Sequence, residues 1–177
     1  MKRITKETVI DVEMNTKQTD ISIKDVELNH MMKTLFFYMK KNVLIEAKYD
    51  LRHHLWEDMG ITLGSEIREK YDIGSIQRFG TTVIPMDDAL VLVSLDFSRC
   101  YVCCDMECEF TESGFEISLL KEFLWGLARS AGITIHVRKI NGENPHHVIE
   151  AAFKALGSSL DKALKPSKDV FSTKGMI

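Results

Sequence analysis

Nowhere along the 177 residues does an apolar run approach the ~20 residues that a membrane-spanning helix needs, so the chain is not expected to cross a bilayer. Its start, MKRITKETVI, lacks the apolar core of a secretory leader, and a cytoplasmic location is expected. Basic charge is also missing: 23 Lys and Arg stand against 26 Asp and Glu, net -3, with no Arg/Lys cluster interleaved with aromatics. Nucleic acid is therefore not the expected partner, and small substrates remain. A second cysteine arm is absent as well. Cys100, Cys103, Cys104 and Cys108 fall together in YVCCDMECEF, whereas a zinc knuckle pairs two C-x-x-C arms across a loop. They read as free thiols of a reducing compartment, packing as small apolar residues.

Histidine is scarce too, and its placement is informative. Of six, at 30, 53, 54, 136, 146 and 147, four lie in two copies of one pattern: His53-His54-Leu55-Trp56-Glu57 and His146-His147-Val148-Ile149-Glu150. Residues three and four apart on a helix share a face, so each copy can aim its carboxylate, Glu57 or Glu150, and its imidazoles at a common point. Nitrogen and oxygen donors without thiolate suit manganese, iron or zinc better than magnesium or calcium. A single His-His-x-x-Glu would read as surface decoration; the recurrence carries the metal reading.

The composition, 45% apolar and 28% charged, is that of an ordinary globular domain. ITKETVIDVEM and DISIK alternate as strands, a helical pattern runs from about Val26 to Lys41, VLIEAKYDL is a strand, and HHLWEDMGITLGSEIREKY is a helix. IQRFGTTVIPMDD reads as an irregular or extended connector, since Gly80 and Pro85 argue against a helix interior. After it the order returns: strands ALVLVSLDF and YVCCDMECEF, helix GFEISLLKEFLWGLARSAG capped by Gly132, strand ITIHVRKI, helix NPHHVIEAAFKALGSSLDKAL. The two patterned copies are 93 positions apart, and the same shift carries His30 to within one residue of Glu122. The expected fold is α+β, an internal duplication of two α/β halves, each a sheet backed by helices: residues 1–86, residues 87–165, and a tail, 166–177. Each half offers one helix start for metal and one further ligand candidate, His30 or Glu122. His136 reads as a half-buried structural histidine on its strand, and Trp56 and Trp125 as packing residues. A ferritin-like di-metal bundle also uses Glu and His on helices, but the alternating strands argue against it.

RITKET, LNHMM, the HHLWED-GITLG run, RFGTTVIPMDDAL, LDFSR, ITIHVRKINGENPHHVIEAAFKAL and STKG, in that order over almost the whole chain, resemble the imidazoleglycerol-phosphate dehydratase family of histidine biosynthesis. The resemblance implies ribosomal-protein-S5-domain-2-like halves, and a homo-oligomer built as an octahedral shell of twenty-four subunits with metals between subunits. It implies two manganese ions (Mn2+) per subunit, held by His30, His53, His54, Glu57, His146, His147 and Glu150, with Glu122 at the position where most members carry a further histidine. It also implies that Glu7 is the acid/base carboxylate, and that Arg78, Arg99, Lys154, Ser172 and Lys174 hold the phosphate of a small phosphorylated imidazole substrate, a task suited to guanidinium forks and ammonium donors.

The chain departs from the family pattern where that pattern has Asp-His-Met-Leu, Gln and a second His: here stand Asn29, Met32, Thr34 and Tyr38. Arg52 replaces the acid before the first paired histidines, and the glycine before Arg99 is missing. These departures spare most of the implied metal ligands. They leave a second expectation open, a metal-binding shell protein whose catalysis is lost or altered.

Overall fold

The computed structural model describes residues 1–108 and 112–168. The chain opens with a hairpin, β1 (Lys2–Ile4) and β2 (Thr8–Met14), where the sequence reads as one continuous strand. Thr5 makes the turn: its hydroxyl accepts from the N–H groups of Glu7 (3.1 Å) and Thr8 (2.9 Å), the local side-chain bonding that competes with strand pairing. Glu7 is thereby placed at the hairpin tip.

β3 (Asp20–Ile23), α1 (Val26–Met39), β4 (Val43–Tyr49) and α2 (Arg52–Lys70) follow. A short 3-10 turn, Ile73–Ser75, leads to β5 (Phe79–Met86), β6 (Ala89–Phe97), β7 (Tyr101–Asp105), α3 (Ile117–Ala131), β8 (Ile133–Asn141) and α4 (Pro145–Ala163). The strand order is β1-β2-β4-β3 in one sheet and β5-β6-β8-β7 in the other. In both, the first two pairings are antiparallel and the last parallel. The duplication is thus present in topology as well as in motif.

One boundary shifts. β5, read as a connector of the first half ending at residue 86, pairs with β6 along its whole length, so the break between sheets lies between Lys70 and Phe79. Pro85 is tolerated because β5 is an edge strand, where a missing N–H interrupts no inner ladder.

Period-2 burial turns Ile10, Val12 and Met14 of β2, and Ala89, Val91, Val93, Leu95 and Phe97 of β6, toward the helices. The helices occupy the middle: α1 and α2 lie on the first sheet, α3 and α4 on the second, with α2 packed along α3 and α1 along α4. One core therefore serves both halves. Trp56 is at its centre, fully buried and edge-on to Phe153. The other tryptophan, Trp125, is 39% exposed on α3, so it is not a core packing residue. His136 is exposed on the outer sheet face beside the Tyr101 ring rather than half-buried. Cys104 and Cys108 pack against the core while Cys100 is exposed, all four as free thiols. Burial pushes the Cys104 thiol up to about 11, which keeps it protonated at neutral pH.

Candidate metal centre

The starts of all four helices gather at one end of the molecule. Asp25 caps α1 by accepting from the Leu28 N–H at 2.7 Å, and Asn144 caps α4 by accepting from the His147 N–H at 3.1 Å. Arg52, the first residue of α2, pairs with Asp25 and lies 3.4 Å from Glu27 and 3.2 Å from Glu116, the residue capping α3. This is why the departure at position 52 is tolerated: the guanidinium serves an acidic cluster drawn from α1 and α3.

His30, His146 and Glu150 meet here. Glu150 Oε2 lies 3.1 Å from His30 Nε2 and 3.0 Å from His146 Nε2, and one ligand atom from each of the three falls within 4.8 Å of the others. It is the one such group among the described residues. Two helices from different halves make it, since His30 is on α1 while His146 and Glu150 are one turn apart on α4. Burial pushes the Glu150 carboxyl up, but hydrogen bonds with His30 and Lys154 outweigh it and hold the group below its ordinary value. The cluster presents two imidazole nitrogens and a carboxylate oxygen. It therefore fits a borderline divalent cation such as manganese, zinc or iron, filling half of an octahedral shell.

The remaining candidates are placed individually. His53 and His54 are adjacent, ring centroids 4.0 Å apart. His54 Nδ1 is 2.8 Å from Asp50 Oδ1 and 3.7 Å from Glu7 Oε2; the Asp50 hydrogen bond holds the imidazole above its ordinary 6.5. His147 Nδ1 is 2.6 Å from Asp88 Oδ1. Asp88 also accepts from the N–H groups of Glu143 and Asn144, and together these hold its carboxyl well below the usual carboxylate range. In each copy, then, the second histidine has its Nδ1 engaged by a carboxylate, the arrangement that fixes a tautomer; the Nε2 of His147 lies 3.5 Å from Asp87 Oδ2. Glu57 pairs with Arg129 at 3.2 Å, and Glu122 is exposed on α3. The structure does not gather these two with His53 as it gathers the other set.

Asp58 explains how Glu7 reaches this region. Nearly buried on α2, it accepts from the Thr8 hydroxyl and lies 2.9 Å from Arg3 Nε, so both arms of the hairpin are tied to the helix that carries His54.

Among the phosphate candidates, Lys154 lies 3.1 Å from Glu150 Oε1. Arg78, with φ 70°, pairs with Asp96 at 2.6 Å. Arg99 is exposed, its carbonyl accepting from the Thr134 hydroxyl at 3.0 Å. Ser172 and Lys174 lie outside the described residues. Sequence reasoning missed Asp50, Asp88, Asp58 and Arg129. Asp88 was within reach, because PMDDAL places two acids at a tight turn, but its pairing with His147 joins positions 59 apart.

Fold and site together define an α+β protein of duplicated halves whose helix starts assemble a histidine–carboxylate cation site. The profile of the imidazoleglycerol-phosphate dehydratase family matches residues 26–160. The chain is 52% identical to the imidazoleglycerol-phosphate dehydratase of Pyrococcus furiosus, covering 100% of both chains, and 40% identical to that of Metallosphaera sedula over 99% of this chain and 96% of the relative. The crystal structure of the Pyrococcus furiosus protein superposes with a TM-score of 0.96. That of the Staphylococcus aureus enzyme, 30% identical, superposes at 0.81 over 94% of this chain and 98% of that one. The chain belongs to the imidazoleglycerol-phosphate dehydratase family.

Proposed function

We propose that the protein is a metal-dependent hydro-lyase of the cytoplasm that converts imidazole glycerol phosphate to imidazole acetol phosphate in histidine biosynthesis. The observation that carries the reading is the convergence of His30, His146 and Glu150 from two halves onto one point, in a chain of this family. His30, His146 and Glu150 would hold one ion, and His53, His54, His147 and Glu57, with Glu122, supply donors for the rest of a two-manganese complement. When bound, manganese would draw electron density from the substrate's imidazole ring and so ease loss of the neighbouring hydroxyl.

The chain's own task is to move protons and to hold the phosphate. Glu7 is exposed at a tied-down hairpin tip, 3.7 Å from His54, which suits a carboxylate that takes a proton from the glycerol carbon and returns one to the leaving hydroxyl. Water departs, and the enol left behind becomes the ketone.

Two features support a site shared between subunits. Arg78 precedes β5, whereas the Lys154 ammonium meets Met86 at the strand's other end; eight residues at ~3.3 Å each put roughly 25 Å between them, too far for one phosphate. Val26 and Phe37, 73% and 76% exposed, flank His30 on the outer face of α1, and apolar surface of this kind beside a half-filled ligand shell suits a second copy. The homo-oligomer would be the octahedral shell of twenty-four subunits.

A turnover assay on the purified chain, with manganese present or removed, tests the reading. Activity that needs the metal and is abolished in Glu7→Gln, with metal content unchanged, is the expected result. Metal binding and assembly without turnover would instead support a shell protein that has lost catalysis. Buried Thr34 and half-buried Tyr38, one and two turns beyond His30, would then be the positions to revert.

A further inference from the structure

Phe115 lies two residues before α3, and its ring lies on the His146 imidazole with centroids 4.3 Å apart and planes 13° from parallel. His30 meets the same imidazole edge-on, centroids 6.1 Å apart. An imidazole ligates along the in-plane direction of its nitrogen lone pair, so whatever sets the ring plane sets where Nε2 points.

What seats Phe115 is Arg52, from the first half. One guanidinium nitrogen donates to the Gly114 carbonyl at 3.0 Å, and another lies 3.2 Å from Glu116 Oε2. Both residues flanking Phe115 are therefore held by one side chain. Arg52 is itself fixed at its other end by Asp25, only 1% exposed and already bound to α1. Gly114 has φ +94°, a conformation that an L side chain resists, and a Cβ there would also push on the end of the Glu27 side chain, 2.4 Å away. Arg52 directly precedes His53, so the residue that enters one copy of the motif is bonded to the loop whose ring stacks on the first histidine of the other.

The geometry points to Phe115 as a positioning residue for His146, held in register by Arg52. The inference rests on the metal-centre reading above and extends it. It accounts for a stacked aromatic and a saturated guanidinium that neither the proton chemistry nor the phosphate grip uses.

Titration of the full-length assembled protein with Mn2+, followed by the electron paramagnetic resonance of free metal, tests it. Phe115→Leu, which keeps bulk but loses the ring plane, should weaken one of the bound ions by about tenfold or more, the usual loss when a ligand histidine is no longer oriented, and leave the other unchanged. Phe115→Trp should recover most of that loss. Arg52→Ala should weaken the same ion. Because Arg52→Ala also strands buried Asp25, Gly114→Ala serves as a second variant that displaces the loop with the Arg52–Asp25 pair intact, and it should act in the same direction. Wild-type affinity for every ion in Phe115→Leu overturns the stacking role; wild-type affinity in both Arg52→Ala and Gly114→Ala overturns the relay. If the wild-type protein binds no manganese, the metal reading has failed by itself. The relay is then decided in metal-free protein: a changed ring-current shift at the His146 resonances in Gly114→Ala sustains it, and unchanged resonances overturn it.

Discussion

The residues that order this site are carboxylates standing behind the histidines. Asp88 has three donors and a depressed pKa, so at neutral pH it is a fixed anion against the Nδ1 of His147. Asp88→Asn keeps the shape but loses the charge and can stabilise the wrong tautomer. We expect manganese affinity to fall by roughly ten- to a hundredfold, measurable by isothermal titration calorimetry, with little change in the unfolding midpoint of the metal-free protein. Asp50 and His54 give a pH signature. Hydrogen bonding raises His54 above 6.5 and lowers Asp50 below 3.8. The histidine's contribution to stability is complete below 6.5 and is lost as pH rises through its raised value. The aspartate's is complete above 3.8 and is lost as pH falls through its lowered value. Asp50→Asn should therefore lower the melting temperature of metal-free protein more at about pH 5.5 than at about pH 8.5; equal losses at both would sink the assignment. Asp50 is exposed and His54 only partly buried, so the difference will be small.

At the scale of elements, most of the architecture was legible because helix and strand periods differ and both recur. The exception, β5, is instructive. FGTTVIPM carries a glycine and a proline, both rare within strands, and the fold accommodates each for a separate reason: Pro85 by edge position, Gly80 because a Cβ there would lie 2.0 Å from the Ser159 carbonyl of α4. The paired His-His-x-x-Glu copies were legible as motifs; of their supporting acids, Asp50 stands only four positions before His54 and was within reach, whereas the pairing of Asp88 with His147 joins positions 59 apart and leaves no local pattern. Nor was Arg129 legible, since its partner Glu57 is on another helix. The close crossing of α2 and α3 yields a prediction. A Cβ on Gly60 would lie 2.2 Å from the Phe123 carbonyl, and that backbone has no side chain to swing away. Gly60→Ala should cost about 2 kcal/mol or more, read as a lowered urea midpoint; an unchanged midpoint would mean that the helices can part freely.

At the scale of the whole molecule, His30, His146 and Glu150 offer three donors at one point, and the phosphate candidates Arg78 and Lys154 lie at opposite ends of β5; the proposed function needs a neighbouring chain to complete both. Chelation should dissociate the assembly, and returning Mn2+ should restore it, followed by light scattering. Phe37→Asp places a charge on the exposed face of α1 near His30 and should block assembly even with metal supplied. A particle of unchanged size in Phe37→Asp would move the contact to another face.

The repeated topology has a genetic consequence. Were the two halves separate copies of one polypeptide, every substitution near one helix start would appear near the other, and neither could change without both. Joined in a single reading frame, they are released from that symmetry. Position 30 keeps an imidazole while its counterpart, 122, carries a carboxylate; Arg52 opens one helix and Pro145 the other. The two helix starts of common design can thus diverge independently, as positions 30 and 122 already do.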